Sequence, residues 1–232
     1  PREKNMNSET IYAKESGSSL PKIFVISAAF MILAGGLHIL YADPLFPGYA
    51  PEPGNPLRSV LLAITMILTS VRMLFTLSYL LRRSMNWEEA MGIPFAFLLY
   101  FIFFSVLVRF NAASTGWLEW TGLAFFIAGS CLNTGSELGR HFWKRRAENK
   151  GKLYTKGPFS LARHINYTGD IIWVTGMACI TGSIYSVPVI LFVFSFFAFF
   201  NGPMLDKYLK QKYGEQYRAW AQNTKSLIPG IF

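Results

Sequence analysis

Cysteine is nearly absent from this chain: Cys131 and Cys179 are the only two in 232 residues. Both fall inside apolar runs and neither has metal-ligand neighbours. That excludes a disulfide framework and a thiolate metal site, and both are read as buried packing residues. No G-x-G-x-x-G and no Walker lysine motif occurs, so neither of the common phosphate-cradling loops is present. Acidic residues are also scarce, 13 against 22 Lys and Arg. Three connecting stretches, Ala42–Leu57, Asn111–Gly116 and Ser183–Ser186, contain no Lys or Arg at all.

What the chain has is apolar length. Hydrophobic residues make up 52% of it, and they come in runs with the charges gathered between them. About 20 such residues cross the hydrocarbon as a helix. Six spans are predicted, at about Ile23–Tyr41, Val60–Leu81, Ile93–Phe110, Trp117–Leu138, Ile171–Ile180 with its flanks, and Val187–Phe200. The fold class is therefore all-α, a polytopic membrane protein. Residues 1–20 read as a polar N-terminal segment, and 21–232 as one integral membrane domain. The first span is longer than a signal-peptide core and five more follow, so it reads as retained. The fifth is short, as spans that end inside a protein often are.

The basic residues cluster on alternate connections. Lys14, Lys22, Arg82 and Arg83 lie on one side, with Lys207, Lys210, Lys212, Arg218 and Lys225 of the tail. The same side holds the stretch from Arg140 to Arg163, with eight basic residues and one acid, Glu148. The positive-inside rule puts both ends and this stretch in the cytoplasm. The protein is expected in a bacterial inner membrane or the endoplasmic reticulum. The tail, with aromatics at Tyr208, Tyr213, Tyr217 and Trp220, reads as a helix broken near Gly214. Ile228–Phe232 is expected to fold back onto the body.

Residues 163–170 read Arg-His-Ile-Asn-Tyr-Thr-Gly-Asp, where the basic stretch meets the fifth span. Polar groups at that depth are costly, so Arg163, His164, Asn166, Tyr167 and Asp170 form a candidate site. At the end of span four, Asn133, Glu137, Arg140 or His141, and Lys144 share a helical face that points toward the basic stretch. Arg140, Lys144 and Lys152 could attract an anionic ligand or anionic lipid. Arg72, mid-span, reads as the clearest buried charge, either paired with Glu137 or Asp170 or anchoring a ligand. Tyr100 could pack, or donate a proton.

These features together resemble one membrane superfamily. It includes steroid 5α-reductases, sterol C14/C7 reductases, small bacterial relatives of unsettled function, and isoprenylcysteine carboxyl methyltransferases. The resemblance rests on Gly151–Phe159 (Gly-Lys-Leu-Tyr-Thr-Lys-Gly-Pro-Phe), the Arg-His-x-Asn-Tyr-x-Gly-Asp core, Tyr-Gly-Glu-x-Tyr at 213–217 and the terminal Ile-Pro. It covers about Asn133–Phe232, the cofactor-binding half. The family's reductases take NADPH and its methyltransferases S-adenosylmethionine. Three features favour the reductases: Asp170 after Gly169, Leu205-Asp206 where the methyltransferases carry two adjacent acids, and a basic stretch suited to polyanionic NADPH rather than to net-cationic S-adenosylmethionine. The resemblance implies that Asn133 and Glu137 hold the adenine–ribose or phosphate part. It also implies that Arg163, Asn166, Tyr167 and Asp170 hold the reactive end, that Tyr208 closes over it, and that His164 orients the motif. Ile165 replaces the family's proline, which would loosen the turn.

The expected function is NADPH-dependent reduction of a carbon–carbon double bond in a lipophilic, sterol- or isoprenoid-like substrate, with Tyr100 and Arg72 as the candidate catalytic pair. An S-adenosylmethionine-dependent methyltransferase is the alternative. A non-catalytic relative that binds lipid or nucleotide is the third reading. The expected partners are the bilayer and a lipophilic small molecule, with no nucleic acid, no metal and no implied oligomeric state.

Overall fold

The computed structural model describes residues 19–42, 54–81 and 83–231. Most of the polar segment 1–20, most of the first connection, Arg82 and Phe232 lie outside them. Among the described residues there are seven helices: α1 Leu20–Tyr41, α2 Pro56–Leu80, α3 Trp87–Arg109, α4 Trp117–Arg145, α5 Ile165–Ile180, α6 Ile184–Tyr213 and α7 Glu215–Asn223. The chain is an all-α, multi-pass membrane protein. Helices α1, α2, α3 and α6 are long and apolar enough to cross a bilayer.

Helix starts follow local chemistry. The Asn55 side chain accepts from the Leu57 N–H (3.0 Å) with Pro56 at the first helical position, and Asn86 accepts from the Glu89 N–H (2.8 Å). In α6 the helix widens into a π segment at Phe196–Asn201, just ahead of Pro203, which cannot donate to Phe199. The helix stops at Gly214, whose φ of +52° and ψ of −117° suit glycine, before α7 resumes. The break expected in the tail is there.

Helices α4 and α5 form the largest helix–helix contact. Its seam is glycine. A Cβ at Gly129 would sit 2.4 Å from the Trp173 nitrogen, and one at Gly176 2.4 Å from the Phe126 nitrogen. The backbones touch at Gly122, Gly129, Gly169 and Gly176, as small residues allow in membranes. Helix α5 has 16 residues, so it is about 24 Å long against a hydrocarbon core of about 30 Å. A helix is present where the short fifth span was expected and starts inside the polar octapeptide, but it is not among the four long enough to cross.

Two burial expectations change. Cys131 is exposed on the outer face of α4, and Cys179 is only half-buried. Among the described residues the most enclosed arginine is Arg58, at 4% exposure, and not Arg72. Arg58 donates to Glu119 at 2.8 Å and to the Ala113 and Ser114 carbonyls at 2.8 and 3.1 Å. Its charge is neutralised by a carboxylate itself 1% exposed, which is why it can lie at the end of the protein opposite the basic stretch.

The C-terminal segment also departs from expectation. Residues 224–227 dock, while Ile231 is 75% exposed. The Arg163 and His164 N–H groups donate to the Lys225 and Ser226 carbonyls at 2.9 and 2.8 Å. Thr168 donates to the Leu227 carbonyl. This short parallel bridge braces the start of α5, so Ile165 does not loosen the turn; it is 2% exposed and packs with Phe159 and Trp220.

Candidate active site

At the basic end of the bundle, the last turns of α4, the 151–163 stretch, the first turn of α5, the end of α6 and α7 enclose a cavity of about 320 Å³. Its aromatic walls are Tyr154, Phe159, Tyr167, Tyr208, Tyr213 and Trp220. Arg83, Arg140, Lys144, Arg163 and Lys212 supply its cations, and among the described residues no Asp or Glu lines it. The size and lining are those of a small-molecule site.

The octapeptide forms one corner. Arg163 donates to both carboxylate oxygens of Asp206, at 3.3 and 3.0 Å, and to the Thr224 carbonyl. The buried His164 ring has Nε2 3.0 Å from the same carboxylate and stacks on Tyr167, which stacks in turn on Phe197. Tyr217 in α7 also hydrogen-bonds Asp206. Burial, and then that bond, push the Tyr217 phenol above its ordinary range. Asp206 thus ties α5, α6 and α7 together.

Six of the expected residues line this cavity: Arg140, Lys144, Arg163, Asn166, Tyr167 and Tyr208. His164 lies beneath the lining. Glu137 pairs with Arg140 and borders an adjoining space of about 430 Å³ with Leu80, Arg140, His141, Lys144 and Arg145. Lys152 lines neither; its carbonyl accepts from Lys144, which also donates to the Tyr213 hydroxyl at 2.9 Å. Asn133 and Asp170 lie one turn deeper and bond to each other at 2.9 Å. Asp170 also accepts from Trp173 Nε1 at 2.8 Å. Arg72 pairs with neither acid: it donates to Ser130, Asn133 and Thr134. Tyr100 is buried edge-on against Trp173 at 5.2 Å, outside the cavity.

The family described as "Protein of unknown function (DUF1295)" matches residues 93–224, which include most of this constellation but not Arg72, Leu80, Leu81 or Arg83. The chain belongs to that family. This DUF1295 protein is 36% identical to a probable O-methyltransferase, ustE, of Ustilaginoidea virens, over 47% of this chain and 42% of that one. It is 33% identical to protein-S-isoprenylcysteine O-methyltransferase B of Arabidopsis thaliana, over 50% of this chain and 61% of that one. The chain thus aligns with about half the length of these relatives. A solved structure of the eukaryotic intramembrane Ras methyltransferase ICMT (isoprenylcysteine carboxyl methyltransferase) superposes with a TM-score of 0.56 at 18% identity, covering 94% of this chain and 79% of that one. It shares the fold.

These relatives overturn the NADPH-dependent reductase expectation, and the structure shows why its three supports fail. Asp170 faces the α4–α5 seam rather than the cavity. Asp206, read only as half of a missing pair, is engaged by Arg163 and lies 3.0 Å from His164 Nε2. Of the eight basic residues between 140 and 163, three line the cavity: Arg140, Lys144 and Arg163. The two arginines are matched by Glu137 and Asp206. The bare charge count overstated the pull on a polyanion. Tyr154, Phe159, Tyr213 and Trp220 line the cavity and Asp206 braces it, although the sequence reading assigned none of them to the site; its signals were the 151–159 motif, the Leu205-Asp206 pair and the tail aromatics.

Proposed function

We propose that this DUF1295 protein is a membrane O-methyltransferase that uses S-adenosylmethionine and acts on an oxygen of a lipid-borne acceptor. The observation that carries this reading is the cavity of aromatic faces and cations, lined by no Asp or Glu among the described residues and built mostly within residues 93–224, in a chain similar to O-methyltransferases.

The residues fit the cofactor. Tyr154, Tyr213 and Trp220 offer faces on which an adenine can stack and a sulfonium can rest. Arg163 and Lys144 offer charge-assisted hydrogen bonds to its carboxylate. When bound, S-adenosylmethionine supplies a methyl group that an oxygen nucleophile can displace from sulfur. The protein's part is then positioning. Asn166 and Tyr167, on the first turn of α5, hold the inner wall, and Tyr208 covers the outer one.

The adjoining space shares Arg140 and Lys144 with the cavity and reaches Leu80 at the end of α2. It suits the headgroup of an acceptor whose apolar tail remains in the bilayer. Its cations favour an anionic oxygen, and a carboxylate is already ionised there, so no general base is required. The same reading gives six crossings, with both ends of the described chain and the cavity on the cytoplasmic side. Support comes from the basic residues at that end and the neutralised Arg58–Glu119 pair at the other.

The test is binding to purified protein. A rise in melting temperature with S-adenosylmethionine and S-adenosylhomocysteine, and none with NADPH, supports the reading. No response to either methyl-cycle compound refutes it.

A further inference from the structure

Arg72 lies within the apolar helix α2, and its guanidinium is committed to protein groups. Nε donates to Thr134 Oγ1 at 3.1 Å, and the two terminal nitrogens donate to Ser130 Oγ at 2.8 Å and Asn133 Oδ1 at 3.1 Å. These acceptors are one face of α4, at i, i+3 and i+4. The guanidinium also lies 5.4 Å from the centre of the Trp173 ring. An arginine so engaged is not a ligand anchor.

Asn133 passes the connection on. Its Nδ2 donates to the Asn166 carbonyl at 3.1 Å and to Asp170 Oδ1 at 2.9 Å. The orientation of this amide is dictated from both sides. Its oxygen faces the Arg72 cation and its N–H groups face the Asp170 carboxylate; a flip would set donor against donor and oxygen against oxygen. Trp173 closes the ring by donating to Asp170 at 2.8 Å. Cation on α2, amide on α4 and anion on α5 form one charge-balanced chain within the bundle.

Its end point matters for the cavity. Asn166 and Tyr167 line it, and they lie on the first turn of α5. That turn has no side-chain cap at His164, so external ties set its depth and rotation. The 225–226 bridge supplies one tie from the tail side. Asn133 supplies the other from α4.

We infer that Arg72 is a positioning residue for the cofactor cavity: by orienting Asn133 it fixes the first turn of α5, and with it Asn166 and Tyr167. The identity of the ligand rests on the methyltransferase reading; the mechanical link does not.

The test compares wild type, Arg72→Lys and Ser130→Ala/Thr134→Val in detergent. Lysine keeps the charge but cannot fork to three acceptors. The double variant keeps Arg72 and removes two of its acceptors. The first readout is amide hydrogen exchange without ligand. Exchange across 165–170 should quicken about tenfold, as expected for the loss of one or two net hydrogen bonds, while α1 is unchanged. The second readout is S-adenosylmethionine affinity by calorimetry, expected to weaken about tenfold in step. Unchanged protection of 165–170 in a folded variant overturns the inference, and so does weaker binding without faster exchange. If wild type binds no S-adenosylmethionine, the proposed function fails, and exchange alone then decides the role of Arg72.

Discussion

Replacing Gly129 by alanine should force α4 and α5 apart. The added Cβ would lie 2.4 Å from the Trp173 nitrogen and 2.6 Å from the Gly169 oxygen, both backbone atoms that no rotamer change can move. Ordinary contact starts at 3.4 Å, so the helices must separate by about 3.4 − 2.4 = 1.0 Å. Overpacking of this kind costs about 1–3 kcal/mol. The Asn133–Asp170 bond, 2.9 Å long, spans the same seam one turn away. Opening by about 1 Å stretches it past hydrogen-bonding range and adds about 1 kcal/mol. A total of about 3 kcal/mol lowers the melting temperature by about 6–12 °C for a chain of this size. The control is Gly135→Ala on the same helix, where an added Cβ meets nothing within 4 Å. There alanine gains helix propensity, and the melting temperature should hold or rise. The assay is thermal unfolding in detergent followed by tryptophan fluorescence. Gly129→Ala melting with wild type, or both variants falling equally, would refute the close-packed seam.

Three further outcomes follow from the ion pairs. Glu119→Gln keeps shape but leaves the enclosed Arg58 without its anion, and should cost about 3–5 kcal/mol in the same melt; Arg58→Met beside it should recover part of the loss. Asp206→Asn removes the anion shared by Arg163 and His164, and should weaken S-adenosylmethionine binding about tenfold by calorimetry. The Tyr217 phenol is held above its ordinary range in the folded state. The stability it lends is therefore intact below about pH 10 and lost as pH rises through the folded value, so wild type should lose melting temperature in alkali more steeply than Tyr217→Phe.

The helical membrane fold was legible because apolar length and the sidedness of charge are properties of the chain itself. The octapeptide and the Asn133–Lys144 face stood out for a related reason: polar groups at membrane depth need an explanation. What escaped were pairings distant in sequence. Arg58 meets Glu119, Arg72 meets Asn133, and Arg163 meets Asp206 only after the helices pack. The charge argument for NADPH failed for the same reason, since a count cannot see that Glu137 and Asp206 answer Arg140 and Arg163. Asp170 misled because its place after Gly169 matched a motif, while its role in the fold is to accept from Asn133 and Trp173. The docking of residues 224–227, which compensates for Ile165, carried no local signal.

The most direct test is methyl transfer itself. Purified protein is incubated with S-adenosylmethionine carrying a tritiated methyl group and a total lipid extract, and the organic phase is counted before and after mild alkali. Methylation of a lipid-borne carboxylate should place counts in the organic phase, and alkali should release them as volatile methanol, with both signals absent from heat-inactivated protein. Organic-phase counts no higher than those of inactivated protein would contradict the account.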